Sequence, residues 1–384
     1  MRSARMWRRW RMRLDRTNKG IFGRWWWTVD RLNLFAILML IALGSILVTA
    51  GSPPVAKRLD LPPFYFVHRH QIFLALGIVA MLFVSLFPAS MIRRLAVVGF
   101  SVSLLLMVFV PFMGEETKGA HRWITLAGIS LQPSEFMKPF FAVVMAWVCA
   151  ENQRRVDFPG YRLAIALYLM VVLLLVLQPD FGMTVTVTAI WGIQLFLAGL
   201  PMVWVFLIGV LGIAGVFGAY YLLPHVAKRI DAFLDPSSSD NYQISRALEA
   251  FRNGGLLGRG PGEGEIKQVL PDSHTDFIFA VAGEEFGVIV CLLILGLFAF
   301  IVLRGLSRVW RHNDLFIVLA VAGLLTQFGV QAIINMGVAV NLLPAKGMTL
   351  PFVSYGGSSV VAVALGMGMM LALTRRKFGA ERGE

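Results

Sequence analysis

Residues 32–51 read LNLFAILMLIALGSILVTAG, a run that contains no charged side chain. A helix of about twenty residues spans the roughly 30 Å hydrocarbon core of a bilayer. Backbone N–H and C=O groups find no water in that core, so a spanning segment has to be a helix or a strand of a closed barrel. This run is too long and too uniformly apolar for a barrel strand, and it therefore predicts a transmembrane helix.

Comparable runs make up most of the chain. Hydrophobic residues account for 57% of the 384 residues and charged residues for 15%, whereas a soluble domain carries about 25% charged residues. We predict an all-α polytopic membrane protein of about ten transmembrane helices, without a soluble domain that has its own core. The predicted spans are 32–51, 70–87, 95–111, 133–150, 161–178, 182–198, 203–223, 276–303, 315–338 and 352–374.

The distribution of lysine and arginine predicts the orientation of these spans. With the N-terminus inside, the cytoplasmic segments hold 22 of the 35 basic residues, the external segments hold 12, and Lys138 lies within a span. Cytoplasmic segments are enriched in basic residues, so we expect both termini inside. The membrane domain then covers 32–374, between cytoplasmic tails at 1–31 and 375–384. A basic tail before the first span is typical of a contact with anionic lipids, so we predict no nucleic-acid partner.

Polar residues concentrate on the external side in this orientation. The connections 112–132 and 224–275 are both external, and connections longer than about 15 residues are usually functional or disordered. A third polar external segment is 339–351. We therefore expect the chemistry at the external face of the membrane. The sequence contains no His/Cys metal-binding motif, so we predict no protein-held metal and no organic cofactor.

The fourth predicted span begins with a group of polar residues. Ser134 is a predicted N-cap, and Glu135 and Lys138 lie three residues apart on one helix face. A lysine within a span costs about 2.5–3.5 kcal/mol on insertion scales unless it is paired or hydrated. Two interpretations stay open. One is a structural Glu135–Lys138 pair, and the other is a water-filled cavity in which Lys138 and Arg122 face an anionic group.

The long external segment contains two local patterns. The glycine-rich run 254–264 lacks the G-K-[ST] sequence of a phosphate-binding P-loop, so we expect a flexible loop beside the site. Residues 244–250 alternate apolar and polar side chains at helical spacing, which predicts a short amphipathic helix on the membrane surface.

Asp276 follows this segment and begins the eighth predicted span. One interpretation is structural: its carboxylate offsets the helix dipole, with Thr275 or Ser273 as the cap. The other is a general base, because the edge of a low-dielectric region raises the proton affinity of a carboxylate. Glu284 and Glu285 lie about two turns further along. The alternatives for them are buried structural partners and a proton path, and we expect the structural role.

Lys346 is the only cation in the segment 339–351. We consider two roles for it, a contact with an anionic ligand and a contact with lipid headgroups. The two cysteines, Cys149 and Cys291, fall in apolar runs and are predicted to be buried core residues.

Several segments together resemble the signatures of the bacterial SEDS family, and they follow one another in the family's order. They are KGAHRWI at 118–124, QPSEFMK at 132–138, QPDFG at 178–182, HTDFIF at 274–279 and PFVSYGGSS at 351–359. Two further segments are similar to the division branch of the family rather than its elongation branch. They are PAKG at 344–347, followed by TLP at 349–351, and AVAGEE at 280–285.

This resemblance implies a peptidoglycan glycosyltransferase that polymerises lipid II, a disaccharide-pentapeptide on undecaprenyl diphosphate, at the periplasmic face of the bacterial inner membrane. The family's catalytic acidic residue falls on Asp276. It would accept the proton of the acceptor sugar's 4-hydroxyl as that oxygen attacks the anomeric carbon of the donor with inversion. The implied substrate-binding residues are Arg122, Trp123, Glu135, Lys138, His274, Thr275, Lys346, Ser354 and Tyr355.

The resemblance also implies partners and alternatives. Arg122, Lys138 and Lys346 would neutralise the leaving diphosphate, together with a divalent cation, Mg²⁺ or Mn²⁺, bound largely by the substrate. The implied protein partners are a class B penicillin-binding protein, which is an FtsI-like transpeptidase, and other divisome membrane proteins at the division septum. The alternatives are an elongation-type polymerase, a lipid II flippase or transporter, and a non-catalytic divisome scaffold.

Overall fold

The computed structural model describes residues 20–113, 115–117, 120–126, 129–155, 157–222, 224–234, 242–344 and 346–376. Most of the two predicted tails therefore lies outside the described residues, as do Lys118, Gly119 and Ala345 of the motifs quoted above.

The described residues are mainly helical. The helices are α1 Ile21–Thr28, α2 Arg31–Arg58, α3 Tyr65–Val84, α4 Ala89–Met113, α5 Pro133–Arg154, α6 Gly160–Leu177, α7 Phe181–Leu197, α8 Met202–Leu222, α9 Pro224–Leu234, α10 Tyr242–Gly254, α11 Ile278–Val309, α12 Leu315–Ala339 and α13 Gly357–Leu373. A small antiparallel sheet between α4 and α5 has the order β1-β2-β3, with β1 Glu115–Thr117, β2 Ala120–Leu126 and β3 Ile129–Leu131.

Each of the ten predicted spans overlaps a helix, and these helices are α2 to α8 and α11 to α13. Seven of them are long and apolar enough to cross a membrane, namely α2, α3, α4, α6, α8, α11 and α12. The helices α7 and α13 are apolar but shorter, and α5 carries the charged residues Glu135 and Lys138 within its first two turns. The prediction of a mainly helical polytopic membrane protein is confirmed, whereas the small sheet departs from the all-α expectation.

Helix α5 lies at the centre of the bundle. It packs against α4, α6, α7, α12 and α13, and nearly all of its side chains from Pro133 to Ala150 are buried. Both cysteines are buried as predicted. The segment between α12 and α13 turns back into this core, as the almost complete burial of Phe352 and Val353 shows. The backbone of Gly44 in α2 approaches Phe352 so closely that a Cβ atom at residue 44 would collide with its carbonyl oxygen.

Two predicted helix ends differ from the structure. Helix α2, the first predicted span, does not stop at residue 51 but continues through Pro53 and Pro54 to Arg58. The two prolines lie in its last two turns, and each removes one backbone N–H donor from the helix. Ser134 is not the N-cap of α5. That position is taken by Gln132, without a side-chain cap, because Pro133 fixes the first helical residue.

The glycine-rich run is a loop, as predicted, and backbone hydrogen bonds join it to α11. Helix α11 is interrupted at Gly287, whose φ and ψ are 77° and −178°, so the carbonyl groups before the interruption lack helical partners. The run supplies them: Arg259 N–H donates to Glu284 O and Gly260 N–H to Glu285 O, both at 3.0 Å. The carbonyl of Gly255 in turn accepts from Val288 N–H at 3.0 Å.

The amphipathic helix α10 packs on the protein rather than on the membrane surface. Its apolar face, formed by Ile244, Ala247 and Ala250, is buried, and α10 contacts α11 along its length. The prediction that this helix lies on the membrane surface is therefore wrong, because α11 covers its apolar side.

Glu284 and Glu285 are structural, as predicted. The Glu284 carboxylate accepts hydrogen bonds from the backbone N–H groups of Glu265, Ile266 and Lys267 at 2.8–3.1 Å. Glu285 forms a buried ion pair with the ammonium of Lys267. Both carboxylates thus fasten residues 265–267 to α11.

Candidate functional site

Asp276 lies in a tight turn immediately before α11. The carbonyl of Asp272 accepts hydrogen bonds from the N–H groups of Thr275, Asp276 and Phe277 at 3.1–3.3 Å. The helix itself begins at Ile278 with Phe277 as its N-cap. Asp276 therefore precedes the helix rather than beginning it. Neither of the predicted caps, Thr275 and Ser273, caps α11. This turn presents the half-buried Asp276 ahead of the helix end.

The segment 346–356 lies directly against Asp276. A Cβ atom added at Gly347 would stand 2.8 Å from Asp276 Oδ2, so the carboxylate occupies space that only glycine leaves open. Asn335 of α12 holds the two chain segments together, since its Nδ2 donates to the carbonyls of Asp276 at 2.8 Å and Met348 at 2.6 Å. The position of the carboxylate is thus fixed by backbone contacts from two elements.

Lys346 contacts an acidic side chain of the protein. Its Nζ lies 2.8 Å from Asp180 Oδ1, and its aliphatic stem passes over Gly182 so closely that a Cβ atom there would collide with it. Asp180 also caps α7, because its side chain accepts from Met183 N–H at 3.3 Å. Burial raises the pKa of Asp180, but the charges of Lys346 and Arg122 outweigh it and hold this pKa below its ordinary value.

Arg122 on β2 reaches the same loop. Its Nε donates to the carbonyl of Gln178 at 2.8 Å and its Nη2 to that of Pro179 at 2.5 Å. The guanidinium group thus lies beside the carboxylate of Asp180. Trp123, the next residue on β2, is half-buried. Lys346 and Arg122 therefore converge on one buried acid at the start of α7.

Glu135 and Lys138 form the buried pair that one of the two interpretations predicted. Lys138 Nζ lies 2.8 Å from Glu135 Oε2 and donates to Gln331 Oε1 at 3.0 Å. The Lys138 side chain is fully buried, so it does not line an open water-filled cavity as the second interpretation expected. Gln331 Nε2 donates onward to the carbonyl of Thr349 at 3.0 Å. The pair is therefore connected to the segment that supports Asp276.

The remaining predicted residues lie on the other side of this segment. Ser354 Oγ accepts from Leu350 N–H at 2.8 Å and donates to the carbonyl of Thr275 at 2.5 Å. The Tyr355 N–H donates to the carbonyl of His274 at 2.8 Å, and the two rings are 5.3 Å apart. The ring of Phe66 from α3 packs on both. These residues join the Asp276 turn to α3 through an aromatic cluster.

Three residues that shape the site were not predicted to belong to it. Asp180 belongs to one of the quoted motifs, and an aspartate directly before an apolar run is an N-cap signal. Gln331 and Asn335 stand four residues apart in an apolar run. Polar side chains inside a span usually face the bundle interior and mark a site, and this pattern could have identified them.

The arrangement combines a half-exposed carboxylate with two cations at one end of the bundle. Such a carboxylate can accept a proton, and cations can stabilise a developing negative charge. The described residues contain no group of three His, Cys, Asp or Glu side chains that could hold a metal ion.

Comparison with known proteins decides the family. The family model FtsW/RodA/SpoVE, described as cell cycle protein, matches residues 31–378. The chain belongs to the FtsW/RodA/SpoVE family. This is the SEDS family that the motifs indicated, and the match extends over nearly the whole chain.

The relatives agree on one activity. A probable peptidoglycan glycosyltransferase FtsW from Caulobacter vibrioides is 46% identical over 366 residues, which cover 95% of this chain and 94% of the relative. A protein of the same name from Geobacter metallireducens is 36% identical and covers 91% and 96%. The prediction of a peptidoglycan glycosyltransferase of the division branch is confirmed.

Solved structures show the same fold. One chain from a peptidoglycan synthase complex that coordinates polymerization and crosslinking has a TM-score of 0.72 and 26% identity, with 90% of this chain and 97% of that chain covered. RodA of Thermus thermophilus, a rod shape determining protein, has a TM-score of 0.67 and 26% identity, with 91% and 97% covered.

Proposed function

We propose that this glycosyltransferase polymerises lipid II at the periplasmic face of the inner membrane, with Asp276 as the general base. The observation that carries the proposal is the placement of Asp276: a half-buried carboxylate outside the helix, held against Gly347 and tied to α12 through Asn335. A general base must be fixed within hydrogen-bond reach of the hydroxyl that it deprotonates. The family's catalytic acidic position coincides with this carboxylate.

In the proposed reaction, the acceptor sugar's 4-oxygen forms a bond to the anomeric carbon of the donor. The bond from that carbon to the diphosphate oxygen breaks, and the proton of the hydroxyl passes to Asp276. Attack from the face opposite the diphosphate inverts the configuration. General-base catalysis typically contributes about 10²–10⁴-fold, so positioning and charge stabilisation have to supply the rest.

Lys346 and Arg122 are the proposed contacts for the leaving diphosphate. Both converge on Asp180 at the end of the bundle where Asp276 lies. An ammonium carries three donors, so a contact with Asp180 is compatible with a contact to a phosphate oxygen. Lys138 is completely enclosed by protein, and we assign it a positioning role through Gln331 and Thr349 instead.

A divalent cation is part of the proposal only as a companion of the substrate. Mg²⁺ is usually bound through one or two carboxylates plus substrate phosphates, which fits the lack of a three-residue metal cluster among the described residues. Mg²⁺ or Mn²⁺ would then neutralise charge on the diphosphate. Titration of either ion into a chelator-treated polymerisation assay tests this point.

The proposed setting is the division septum, with both termini in the cytoplasm and ten membrane crossings. The proposed partner is a class B penicillin-binding protein, an FtsI-like transpeptidase, together with other divisome membrane proteins. Support comes from the structural similarity to a chain of a complex that coordinates polymerization with crosslinking.

The experiment combines the purified chain, its partner transpeptidase and labelled lipid II in liposomes. We expect glycan strands from the wild type and from Asp272→Asn, and none above background from Asp276→Ala. Asp272 is a matched control, because it lies in the same turn and Asn tolerates its positive φ of 51°. Transfer of lipid II between leaflets without polymer would favour a flippase, and polymer from Asp276→Ala would favour a scaffold beside another polymerase.

A further inference from the structure

The end of the bundle opposite Asp276 carries a second cluster of charged residues. Asp276 precedes the start of α11, whereas Arg304 and Arg308 near the end of that helix contact Asp30, the N-cap of α2. The short helix α1 lies at this same end, directly before α2. The cluster is therefore separated from the proposed catalytic site by the length of a transmembrane helix.

Three chain segments are fastened together there. Trp25 Nε1 of α1 donates to Ser85 Oγ at the end of α3 at 2.9 Å. Arg375, just after α13, donates from Nη1 to the carbonyls of Ser85 and Leu86 at 3.2 and 2.9 Å. The N–H of Arg376 donates to the carbonyl of Thr28 at 3.0 Å. These bonds hold α1 and the end of α13 against α3 in one arrangement.

This arrangement brings two arginines close to each other. Arg24 precedes Thr28 by one helical turn, and the Thr28 hydroxyl donates to the Arg24 carbonyl at 2.8 Å. The carbonyl of Thr28 accepts the hydrogen bond from the N–H of Arg376, the residue after Arg375. Burial lowers the pKa of Arg375, and the neighbouring charge of Arg24 lowers it further. The like charges of Arg24 and Arg375 repel each other.

Other arginines at this end have acidic partners. Arg304 and Arg308 share the buried carboxylate of Asp30, and Arg154 pairs with Asp314. Within the described part of the chain, neither Arg24 nor Arg375 forms an ion pair with a carboxylate. An anion placed between two guanidinium groups would relieve their repulsion and accept charge-assisted hydrogen bonds.

The position of the two arginines identifies the anion's source. Phe22 on α1 is 74% exposed and Trp310 after α11 is 80% exposed. Arg24 is exposed beside Phe22, and Trp25 to Trp27 follow it. Aromatic side chains of this kind lie at the headgroup level of a bilayer, where phospholipid phosphates are concentrated.

We propose that Arg24 and Arg375 form a binding site for the phosphate group of an anionic phospholipid. The carbonyls of Ser85 and Leu86 hold the Arg375 guanidinium, and the hydrogen bond from Arg376 N–H to Thr28 holds α1, which carries Arg24, against the same segment. Arginine is suited to phosphate because its planar fork donates two parallel hydrogen bonds. The site would fasten α1 and the end of α13 to one lipid headgroup.

The test uses the full chain in phosphatidylcholine nanodiscs into which phosphatidylglycerol is titrated, with bound lipid counted by native mass spectrometry. Hydrogen bonds to a charged group are stronger than the general attraction of a basic residue to an anionic surface, so Arg24→Gln and Arg375→Gln should each weaken the saturable binding about 10- to 100-fold. Arg311→Gln is the matched control, an exposed arginine at the same end of the bundle, and it should weaken binding by at most about fivefold, because it removes only that general attraction.

Two further arms keep the result decisive. Arg24→Gln leaves the hydrogen bonds of Arg375 intact, so it tests the site even where Arg375→Gln impairs folding. Inorganic phosphate is titrated into pure phosphatidylcholine nanodiscs in parallel. Equal phosphatidylglycerol retention by wild type and Arg24→Gln would overturn the site, and saturable binding of inorganic phosphate that depends on both arginines would overturn its assignment to a lipid.

Discussion

Asp180 is the residue on which Lys346 and Arg122 converge. It is almost completely buried, contacts Lys346 at 2.8 Å and lies beside Arg122. Removal of one partner from a buried ion pair leaves the other charge uncompensated, which is far more costly than the net stability of the pair. Asp180 therefore determines both local stability and the position of Lys346 next to Gly347.

Asp180→Asn should lower the free energy of unfolding by about 3–5 kcal/mol, because Lys346 loses its buried partner. The matched control is Asp314→Asn. Both aspartates cap a helix through a backbone N–H, and Asn preserves that cap, but the Asp314 pair with Arg154 is largely exposed. The control should change stability by at most about 1 kcal/mol. Denaturant unfolding in detergent measures both, and equal losses would contradict the assignment.

The depressed pKa of Asp180 predicts a pH dependence. Its charged form is stabilised in the folded protein, so this contribution is present above the unfolded-state pKa of about 3.9. It is lost as the pH falls through the lower folded-state pKa. The difference in melting temperature between wild type and Asp180→Asn should therefore be constant near neutral pH and shrink below about pH 4. A difference that grows on acidification would refute this account.

The Glu135–Lys138 pair offers a second test at the residue scale. Lys138→Met leaves the Glu135 carboxylate buried without its cation and should destabilise the protein by about 3–5 kcal/mol. The double variant Glu135→Gln with Lys138→Met removes both charges and should recover more than half of that loss. Thermal unfolding of the two variants measures the recovery. A double variant as unstable as the single one would show that the loss does not come from the unpaired charge of Glu135.

At the scale of elements, the interruption of α11 explains how the segment 254–264 is joined to that helix. Helix α11 exposes backbone groups at Gly287, and the run 254–264 occupies them. Below it, Glu284 and Glu285 bind the backbone and side chain of Lys267. The segment that leads to Asp276 is therefore held at both ends.

Gly287→Ala and Gly296→Ala test this interruption within one helix. At Gly287 a Cβ atom would meet the backbone of Leu256 and Gly258, and φ is 77°, so alanine should cost at least about 1–3 kcal/mol. At Gly296 nothing lies within 4 Å, and alanine should be neutral or stabilise the helix by up to about 1 kcal/mol. Differential scanning fluorimetry compares them, and a neutral Gly287→Ala would show that the interruption is not required.

Hydrophobicity alone located the helices α2 to α8 and α11 to α13, because a run of about twenty apolar residues has no other stable structure in a bilayer. It did not locate the end of α2, since the prolines at 53 and 54 are tolerated in its last turns. The hydrogen bonds of the glycine-rich run could not be predicted, because its partners are backbone groups of α11, which composition cannot reveal. Contacts between distant segments were the part that the sequence left undetermined.

The same distinction applies to the candidate site. Asp276 and the Glu135–Lys138 pair follow from local sequence, because charged residues at the edge of a span have few stable roles. The Lys346–Asp180 pair joins residues 166 positions apart, and no local spacing predicts it. The sequence signal for Gln331 and Asn335 is their four-residue spacing, which places two polar side chains on one face of an apolar helix.

At the scale of the whole molecule, the proposed orientation places the Asp276 end of the bundle outside and the Arg24 end inside. Both native cysteines are buried, so single exposed cysteines can report the side. Glu263→Cys lies in the external segment and Arg311→Cys at the opposite end, and both positions are exposed. In intact spheroplasts, a membrane-impermeant maleimide should label Glu263→Cys and leave Arg311→Cys unlabelled until the membrane is opened. The reverse pattern would invert the topology.

The most direct test of the central claim is the rate of lipid II polymerisation by Asp276→Asn. Asparagine keeps the shape of the side chain but cannot accept the proton as a carboxylate does. We predict that kcat falls by about 10²–10⁴-fold, while KM stays within about threefold of wild type and Asp272→Asn polymerises normally. Glycan synthesis by Asp276→Asn at the wild-type rate would contradict the assignment of Asp276 as the base.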